Sequence, residues 1–292
     1  MFELGQRVGL DVLPRHFYSA VPDMAALSRS TQWRTPHSMA GVTGADIEPQ
    51  AEFLLGCFGD EVRRQLAARS VYAEAVERYG SLGYGPIEAE ILYAFVATHR
   101  PPRVVQVGAG LTTAVLLAAG RDFGFETDVI SIDPFPTDFL TGAAGRGEIT
   151  LLATPAQDVD LAVLTDVGPG GLLFVDSTHT VKPGSEVNRI ILEALPRLPA
   201  GSFAHFHDIT FPYDYPPDLL DGRLFFWQET ALLLAFLTGN PGARIAMSTS
   251  MLHHGRADAM AAVLPRYRPM PVAAGVKAGE GHFPSATYLR FG

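Results

Sequence analysis

Acidic and histidine side chains occur at three separate points of this sequence, each directly after a short apolar run. Asp133 follows the run DVISI, Asp176 follows GLLFV, and His207 follows SFAHF with Asp208 directly behind it. Carboxylate oxygens and imidazole nitrogens can bind a divalent cation, and an imidazole can also move a proton near neutral pH. We therefore predict a polar site built from these three points of the chain.

Two interpretations of these residues remain open in the sequence. In the first, Asp176, His207 and Asp208 bind a divalent cation. In the second, His179 or His207 acts as a general base beside Asp176. Each residue also has a plainer structural use, since an Asp after a strand often caps a turn and a His can pack in a core. His205 faces the same side of its strand as His207 and is expected to be structural.

A glycine-containing turn precedes these residues along the chain. Residues 103–107 (RVVQV) are typical of a strand, and Gly108 and Gly110 follow directly. Glycines at this place let a ligand approach the backbone and let the chain turn tightly into a helix, although an ordinary turn has the same pattern. Asp133 comes about one βαβ unit later, where an acid can accept hydrogen bonds from ribose hydroxyls. The dinucleotide pattern G-x-G-x-x-G is incomplete because position 113 is Thr, which argues against a nicotinamide cofactor.

Short apolar segments alternate with helical ones from residue 103 onwards. The predicted strands are 103–107, 128–132, 148–152, 171–175 and 202–206, and the predicted helices between them include 112–119 and 187–195. This alternation indicates βαβ units and a parallel sheet, and residues 244–292 are expected to add the last strands. Ligands bind such sheets beyond the carboxyl ends of the strands, which is where the acids and histidines fall.

The residues before this region are predicted to form helices and an arm. Apolar residues recur at helical spacing from 50 to 78, and Pro86 opens a further helix over 87–98. Residues 1–43 hold many aromatics and prolines without a sustained period. We expect them to form an ordered arm, because so much apolar surface is unfavourable in water.

Aromatic residues are concentrated in two segments near the end of the predicted sheet. Residues 211–217 (FPYDYPP) include Tyr213, and residues 225–229 (FFWQE) include Trp227. An aromatic wall suits an organic ligand and excludes water from a reacting centre. The same segments also suit a loop and a helix that simply pack on the core.

Composition excludes several classes of protein. The chain has 292 residues, of which 47% are hydrophobic and 18% charged, so a large buried core is expected. A net charge of −9 argues against a broad nucleic-acid surface. The single cysteine, Cys57, excludes an intrachain disulfide framework. We see no signal peptide, and the longest apolar stretch, 230–237, is too short to cross a bilayer, so a soluble cytoplasmic protein without a membrane partner is expected.

A set of phrases in the sequence resembles a known family. They are HFYSAVPD (16–23), GYGPIEAEILY (83–93), VVQVGAG (104–110), SIDP (131–134), LLFVDSTHTVKPGSEVN (172–188), LPRLPAGSFAHFHDITFPYDYP (195–216) and FFWQETALLLAFL (225–237). Together they resemble the bacterial class I S-adenosylmethionine-dependent methyltransferases, and among these the group called methyltransferase domain type 24. The resemblance implies an α/β fold with a Rossmann-like sheet, helices on both faces and an N-terminal helical or arm extension. The implied division is an arm and helical lid segment at 1–82 and a catalytic domain at 83–292.

The resemblance also implies where S-adenosylmethionine binds. The implied cofactor-binding residues are Gln106, Gly108, Gly110, Asp133, Gln157, Asp158 and Asp176. Gly108 and Gly110 would lie against the methionine part and Asp133 would hold the ribose, while residues 156–158 would border the adenine. Gln106 stands where an acid is common in the wider class, so this contact departs from the family pattern.

The implied catalytic residues are Asp176, His179 and His207, and they also depart from a related pattern. In catechol-type O-methyltransferases an acid at the position of Asp176 binds metal, and an Asp-Asn pair stands where this chain has His207 and Asp208. Those enzymes carry a catalytic lysine at the position of His179. A divalent metal such as Mg²⁺ and a metal-free mechanism with a histidine base therefore both stay open.

The resemblance implies an enzyme that methylates a small organic acceptor of the secondary-metabolite kind. The expected reaction is O-methylation by base-assisted, in-line methyl transfer. Contacts to the acceptor are expected from His16, Tyr18, Tyr213 and Trp227. The N-terminal arm is expected to fold over the acceptor pocket, either in its own chain or from the partner in a homodimer.

Three other functions fit parts of the sequence. The same fold can carry a cyclase, a lyase or a ligand binder that transfers no methyl group. An NAD-linked oxidoreductase is disfavoured by Thr113. An iron oxygenase ranks last, because its usual His-x-Asp spacing is absent where His207 and Asp208 are adjacent.

Overall fold

A computed structural model describes residues 2–80, 83–216, 219–220, 225–272, 275–277 and 284–292. The helices are α1 (Phe2–Gln6), α2 (Met24–Arg29), α3 (Ile47–Cys57), α4 (Asp60–Ala68), α5 (Val71–Tyr79), α6 (Pro86–His99), α7 (Leu111–Phe123), α8 (Asp138–Gly145), α9 (Leu161–Thr165), α10 (Glu186–Arg189), α11 (Glu229–Leu237), α12 (Thr249–Gly255) and α13 (Ala257–Val263). The strands are β1 (Arg103–Val107), β2 (Asp128–Ile132), β3 (Thr150–Leu152), β4 (Leu172–Val175), β5 (Phe203–Phe206), β6 (Ala243–Ser248), β7 (Met270–Val272), β8 (Gly275–Lys277) and β9 (Thr287–Phe291).

Seven strands form one sheet in the order β3-β2-β1-β4-β5-β9-β6. The first five are parallel, and β9 runs antiparallel between β5 and β6. The register aligns the carboxyl ends of the central strands, because Val107 pairs with both Ile132 and Val175, and Val175 pairs with Phe206. The residues that follow these strands therefore leave the sheet along one edge. This is the predicted α/β, Rossmann-like sheet.

Helices cover both faces of this sheet. Along β4, Leu172 and Phe174 belong to one buried cluster with residues of α3, α6 and α7. Leu173 and Val175 point to the other cluster, which includes residues of α10 and α11. All four side chains of β4 are buried, as expected for a strand covered on both sides. The two layers exclude water from the sheet and hold its polar edge in place.

Two of the predicted helices differ from the observed ones, because capping residues and a proline interrupt the helical pattern of apolar residues. The helical segment 50–78 is divided into α3, α4 and α5, and Ser70 caps α5 by accepting a hydrogen bond from the backbone N–H of Ala73. The helix predicted over 187–195 begins as α10 and continues as a π-helical turn, Ile190–Ala194. Pro196 lies in the 3₁₀ turn that follows and has no N–H to donate to a helix.

The helices before residue 80 are part of the same core as the sheet. Helix α3 packs against β6 and α6, and α5 packs against α6 and α7. The predicted boundary between units, after residue 82, lies outside the described residues. A division of the chain at that point stays a prediction.

The arm, residues 2–43, contains the short helices α1 and α2 and is more exposed than predicted. Phe17 is 86% exposed and Tyr18 is 78% exposed. The expectation that this apolar surface is buried is therefore wrong within a single chain, because the segment forms turns whose aromatic rings pack on one another. Burial of the arm against a second copy, as a homodimer requires, stays a prediction. In the part of the chain that is described, no helix has the length and apolarity to span a bilayer.

The turn after β1 depends on a residue without a side chain. Gly108 has a φ of +77°, and a Cβ there would lie 1.7 Å from the carbonyl oxygen of Asp176. Gly108→Ala is therefore expected to cost more than about 2 kcal/mol of unfolding free energy, because backbone atoms must move. The measurement is the urea unfolding midpoint.

Gly124→Ala is the matched control for this variant. Gly124 also has a positive φ, of +65°, but nothing lies within 4 Å of an added Cβ. Its expected cost is about 1 kcal/mol. Equal losses in the two variants would contradict the close approach of β1 and β4 at Gly108.

Candidate active site

The glycine turn and Asp133 are joined by direct hydrogen bonds at the edge of the sheet. One carboxylate oxygen of Asp133 accepts from the backbone N–H of Ala109 at 3.1 Å, and the other accepts from that of Phe135 at 2.8 Å. Ala109 lies between the two glycines of the turn. Asp133 is thus fixed beside the turn, as the sequence predicts for a ribose-binding acid.

Thr113 performs a structural task where the dinucleotide pattern has its third glycine. Its hydroxyl accepts from the backbone N–H of Gly110 at 3.1 Å and donates to the side-chain oxygen of Gln106 at 2.6 Å. The amide nitrogen of Gln106 also donates to the hydroxyl of Thr112. Gln106 is fully buried and supports the turn from behind. Its predicted contact with a cofactor stays a prediction.

A cavity of about 160 Å³ opens in front of this turn. Its walls are Tyr79, Gly83, Tyr84, Gly108, Ala109, Leu111, Thr112, Asp133 and Asp176. Of the predicted cofactor residues, Gly108, Asp133 and Asp176 line it, and Gly110 lies in the same turn. Gln157 and Asp158 are placed in a 3₁₀ turn, Ala156–Asp158, beyond β3 and outside this wall.

Three of the predicted catalytic side chains converge next to the cavity. Asp176, His179 and His207 each offer one atom, and these atoms lie within 4.8 Å of one another. The nearer oxygen of Asp176 is 3.2 Å from Nδ1 of His207 and 3.5 Å from Nε2 of His179. Residues from two neighbouring strand ends therefore form one cluster, as the sequence predicts.

Asp208 lies at the edge of this cluster. Its Oδ2 is 3.6 Å from Nε2 of His179 and 3.8 Å from Nδ1 of His207, and its Oδ1 accepts from the hydroxyl of Ser285 at 2.9 Å. His179 and Asp208 both have a positive φ, of 57° and 54°. Such a backbone is costly for residues other than glycine and is concentrated at functional sites.

Two buried carboxylates, which the sequence did not reveal, hold the histidines from behind. Oε2 of Glu229 is 2.7 Å from Nδ1 of His179, and Oε2 of Glu88 is 3.2 Å from Nε2 of His207. Glu88 also accepts from the backbone N–H of Ser285 at 2.8 Å. Glu88 lies in the phrase GYGPIEAEILY on a helix that is buried on all sides. The sequence does contain one signal for Glu88, which is an acid within a largely apolar helix. A buried acid needs a partner, so its position indicates a nearby polar or basic group.

The charges of this cluster shift its pKa values strongly. Burial alone would lower the pKa of His179, but hydrogen bonds to Asp176 and Glu229 and the charge of Asp208 raise it to about 10. Burial would likewise lower the pKa of His207, yet Asp176 and Glu88 raise it well above its ordinary value. Burial would raise the pKa of Asp176, but both imidazoles hold it well below its usual range. The acids thus favour positive charge on the two histidines.

His205 is a core residue, as predicted. Its ring stacks on that of Phe174 at 4.2 Å, and its Nε2 lies 3.1 Å from the hydroxyl of Tyr84. Burial, and then the charge of His207, lower the pKa of His205 to about 3. The neutral form of His205 is therefore favoured in this buried position. Tyr84 lies between the two histidines, because its ring is also 4.7 Å from that of His207.

The four predicted acceptor contacts have separate positions. Trp227 lies at the cluster, with its ring 4.8 Å from that of His179, and Phe225 stacks on its outer side at 5.0 Å. Tyr213 packs against His254 at 4.9 Å. Tyr18 packs against His16 and Phe17 within the exposed arm. The structure thus brings Trp227 to the cluster and leaves His16 and Tyr18 in solvent.

Comparison with known proteins gives a family for the central part of the chain. Residues 105–209 match a family model described as a methyltransferase domain. An uncharacterized protein of Archaeoglobus fulgidus is 26% identical over 170 residues, covering 54% of this chain and 74% of that protein.

Two solved structures illustrate the similarity in the course of the chain. The S-adenosylhomocysteine-bound methyltransferase PaMTH1 of Podospora anserina is 14% identical, with a TM-score of 0.42, and the match covers 97% of this chain and 99% of the other. The cofactor-bound protein Rv0187 from MTB is 13% identical, with a TM-score of 0.46 and coverage of 76% and 90%.

The sheet order gives a Rossmann-like fold, and the glycine turn and Asp133 lie together at the carboxyl ends of its strands, where such sheets bind their ligands. The matched residues 105–209 include that turn and all three clustered catalytic candidates. Residues 105–209 thus carry a methyltransferase domain, in agreement with the family that the sequence resembles.

The hydrogen bond between Glu229 and His179 gives a direct test of the electrostatics. Glu229→Gln is expected to move the pKa of His179 from about 10 back toward 6.5, because one negative partner is lost. The measurement is an NMR titration of the His179 ring in protein kept free of divalent ions.

Stability follows from the same shift. A histidine whose pKa is raised on folding contributes stability that is complete below pH 6.5 and is lost as the pH rises to about 10. Between pH 6.5 and about 10, the unfolding free energy of Glu229→Gln is expected to fall less than that of the wild type. Glu148→Gln, at an exposed pair with Arg146, serves as the control. An unchanged His179 titration in Glu229→Gln would refute the assigned role of Glu229.

Proposed function

We propose that this protein is an S-adenosylmethionine-dependent methyltransferase that transfers a methyl group to a hydroxyl oxygen of a small organic acceptor, with base assistance from the histidine cluster. The observation that carries the proposal is the position of Asp176, which lines the cavity at the glycine turn and also contacts His179 and His207. A cofactor at the turn and an acceptor at the cluster would thus be neighbours. Positioning of the two reactants is the main contribution expected of such an enzyme.

The residues of the turn fit S-adenosylmethionine. An added Cβ at Gly108 or Gly110 would collide with neighbouring atoms, so the backbone there is open only because both residues are glycine. The carboxylate of Asp133 is held beside the turn, where it can accept from ribose hydroxyls. When bound, S-adenosylmethionine supplies the electrophilic methyl group on its sulfonium.

Proton removal from the acceptor is assigned to the histidines. A protonated imidazole cannot act as a base, and the acids around His179 and His207 favour the protonated form. Positive charge that enters the site with the ligands opposes this effect and lowers both pKa values. The site would thus gain its base only when it is loaded, and Trp227 would exclude water from the reacting oxygen.

The same cluster also fits a divalent metal ion. Asp176, His179 and His207 would each offer one donor atom, and the carboxylate of Asp208, 3.6 Å from Nε2 of His179, would lie beside the ion. Glu88 and Glu229 bind the outer nitrogens of the histidines, an arrangement that orients metal-binding imidazoles. A bound ion would polarise the acceptor oxygen and make its proton more acidic. A metal-free route with His179 or His207 as base uses the same residues.

The test combines cofactor binding with turnover of hydroxylated acceptors. Asp133→Asn is expected to weaken S-adenosylhomocysteine binding by about 10- to 100-fold, because it removes charged hydrogen bonds. Asp176→Asn and His179→Ala are expected to lower kcat/KM for methyl transfer by about 10²- to 10⁴-fold. Calorimetry and a methyl-transfer assay, each with Mg²⁺ and with chelator, provide the measurements.

The control for Asp133 is Asp128→Asn, at the opposite end of the same strand. It is expected to leave binding unchanged. Full activity in chelator would support the histidine base, whereas loss that Mg²⁺ or Mn²⁺ restores would support the metal. Normal turnover in both Asp176→Asn and His179→Ala would refute the proposed site.

A further inference from the structure

Tyr79 lies in the cofactor cavity, although no sequence motif pointed to it. It is the last residue of α5, and its ring packs directly on the glycine turn: a Cβ added to Gly110 would lie 2.3 Å from Cζ of Tyr79. The ring of Phe139 meets it edge-on at 6.3 Å. The absence of a side chain at Gly110 is what lets an aromatic ring lie against this turn.

The cavity places Tyr79 together with two acids. Asp133 follows β2 and Asp176 follows β4, the two strands that flank β1 in the sheet. Both acids line the cavity together with Tyr79. Burial raises the pKa of Tyr79, and the charges of Asp133 and Asp176 raise it further, so the phenol stays neutral. An aromatic face with two nearby carboxylates forms an environment that favours a cation.

The covalent structure of the methyl donor relates this environment to the reaction. Its sulfur is bonded to C5′ of the ribose and carries the methyl group that goes to the acceptor. In the proposed function, on which this step rests, the ribose lies at Asp133 and the acceptor lies at the cluster that contains Asp176. The sulfur would then lie between these two acids, in the cavity that Tyr79 lines.

We propose that Tyr79 is a cofactor-binding residue whose ring contacts the sulfonium and favours the charged methyl donor over the neutral product. S-adenosylmethionine carries a positive charge on sulfur, and S-adenosylhomocysteine does not. A ring contact with that charge strengthens binding of the donor alone. Tyr79 thereby lets fresh methyl donor compete with the product for the same site.

The experiment compares dissociation constants for the two ligands by calorimetry on the full chain, without acceptor. Tyr79→Leu is expected to weaken S-adenosylmethionine binding by roughly five- to tenfold and S-adenosylhomocysteine binding by less than about twofold. Tyr79→Phe keeps the ring and is expected to keep the wild-type ratio. Tyr72→Leu, on the same helix, is the control and is expected to leave the ratio unchanged.

Thermal unfolding shows whether each variant is folded at the temperature of the titration. Tyr79→Met, which keeps a long side chain without an aromatic face, replaces the leucine variant if that one unfolds. Equal weakening of both ligands, or an unchanged ratio in Tyr79→Leu or Tyr79→Met, would overturn the role of Tyr79. Failure of the wild-type protein to bind either ligand would instead overturn the proposed function, and this inference with it.

Discussion

Charge balance in one buried volume is the constraint on which the site depends. Four carboxylates, those of Glu88, Asp176, Asp208 and Glu229, surround the two imidazoles of His179 and His207. Buried charges are costly unless they are paired. The four carboxyl groups outnumber the two imidazoles that they contact, so the cluster is rich in acidic groups. The acids raise the pKa of both histidines, and such an environment favours positive charge, whether on the imidazoles, a sulfonium or a divalent ion.

The fold meets this constraint by aligning strand ends. The pairing of Val107 with Ile132 and Val175 brings the turn after β1, Asp133 and Asp176 to one edge, while the next strand delivers His207. The outer carboxylates come from elements on both sides, since Glu88 belongs to α6 and Glu229 begins α11. The two helix layers that bury the sheet are therefore also the source of the groups that orient the histidines.

The sequence predicted the parts of the site that depend on position along a strand. Asp133, Asp176 and His207 each follow an apolar run, so parallel pairing alone brings them together. It could not predict Glu88, Glu229 or Tyr79, because their roles depend on how helices pack across the sheet. The sequence also did not show that the side chain of Gln106, a predicted cofactor contact, forms hydrogen bonds with Thr112 and Thr113. The prediction that the arm is buried was also wrong within a single chain. Hydrophobic residues indicate that a surface is covered, but they do not show whether the same chain or another molecule covers it.

The proposed nucleoside site at Asp133 and the histidine cluster meet at Asp176. A crystal structure of the protein with S-adenosylhomocysteine tests this arrangement most directly. The expected result is ribose hydroxyls within hydrogen-bonding distance of Asp133 and a sulfur that faces Asp176, His179 and His207. A ligand bound with its sulfur turned away from that cluster, or outside the cavity at the glycine turn, would contradict the account.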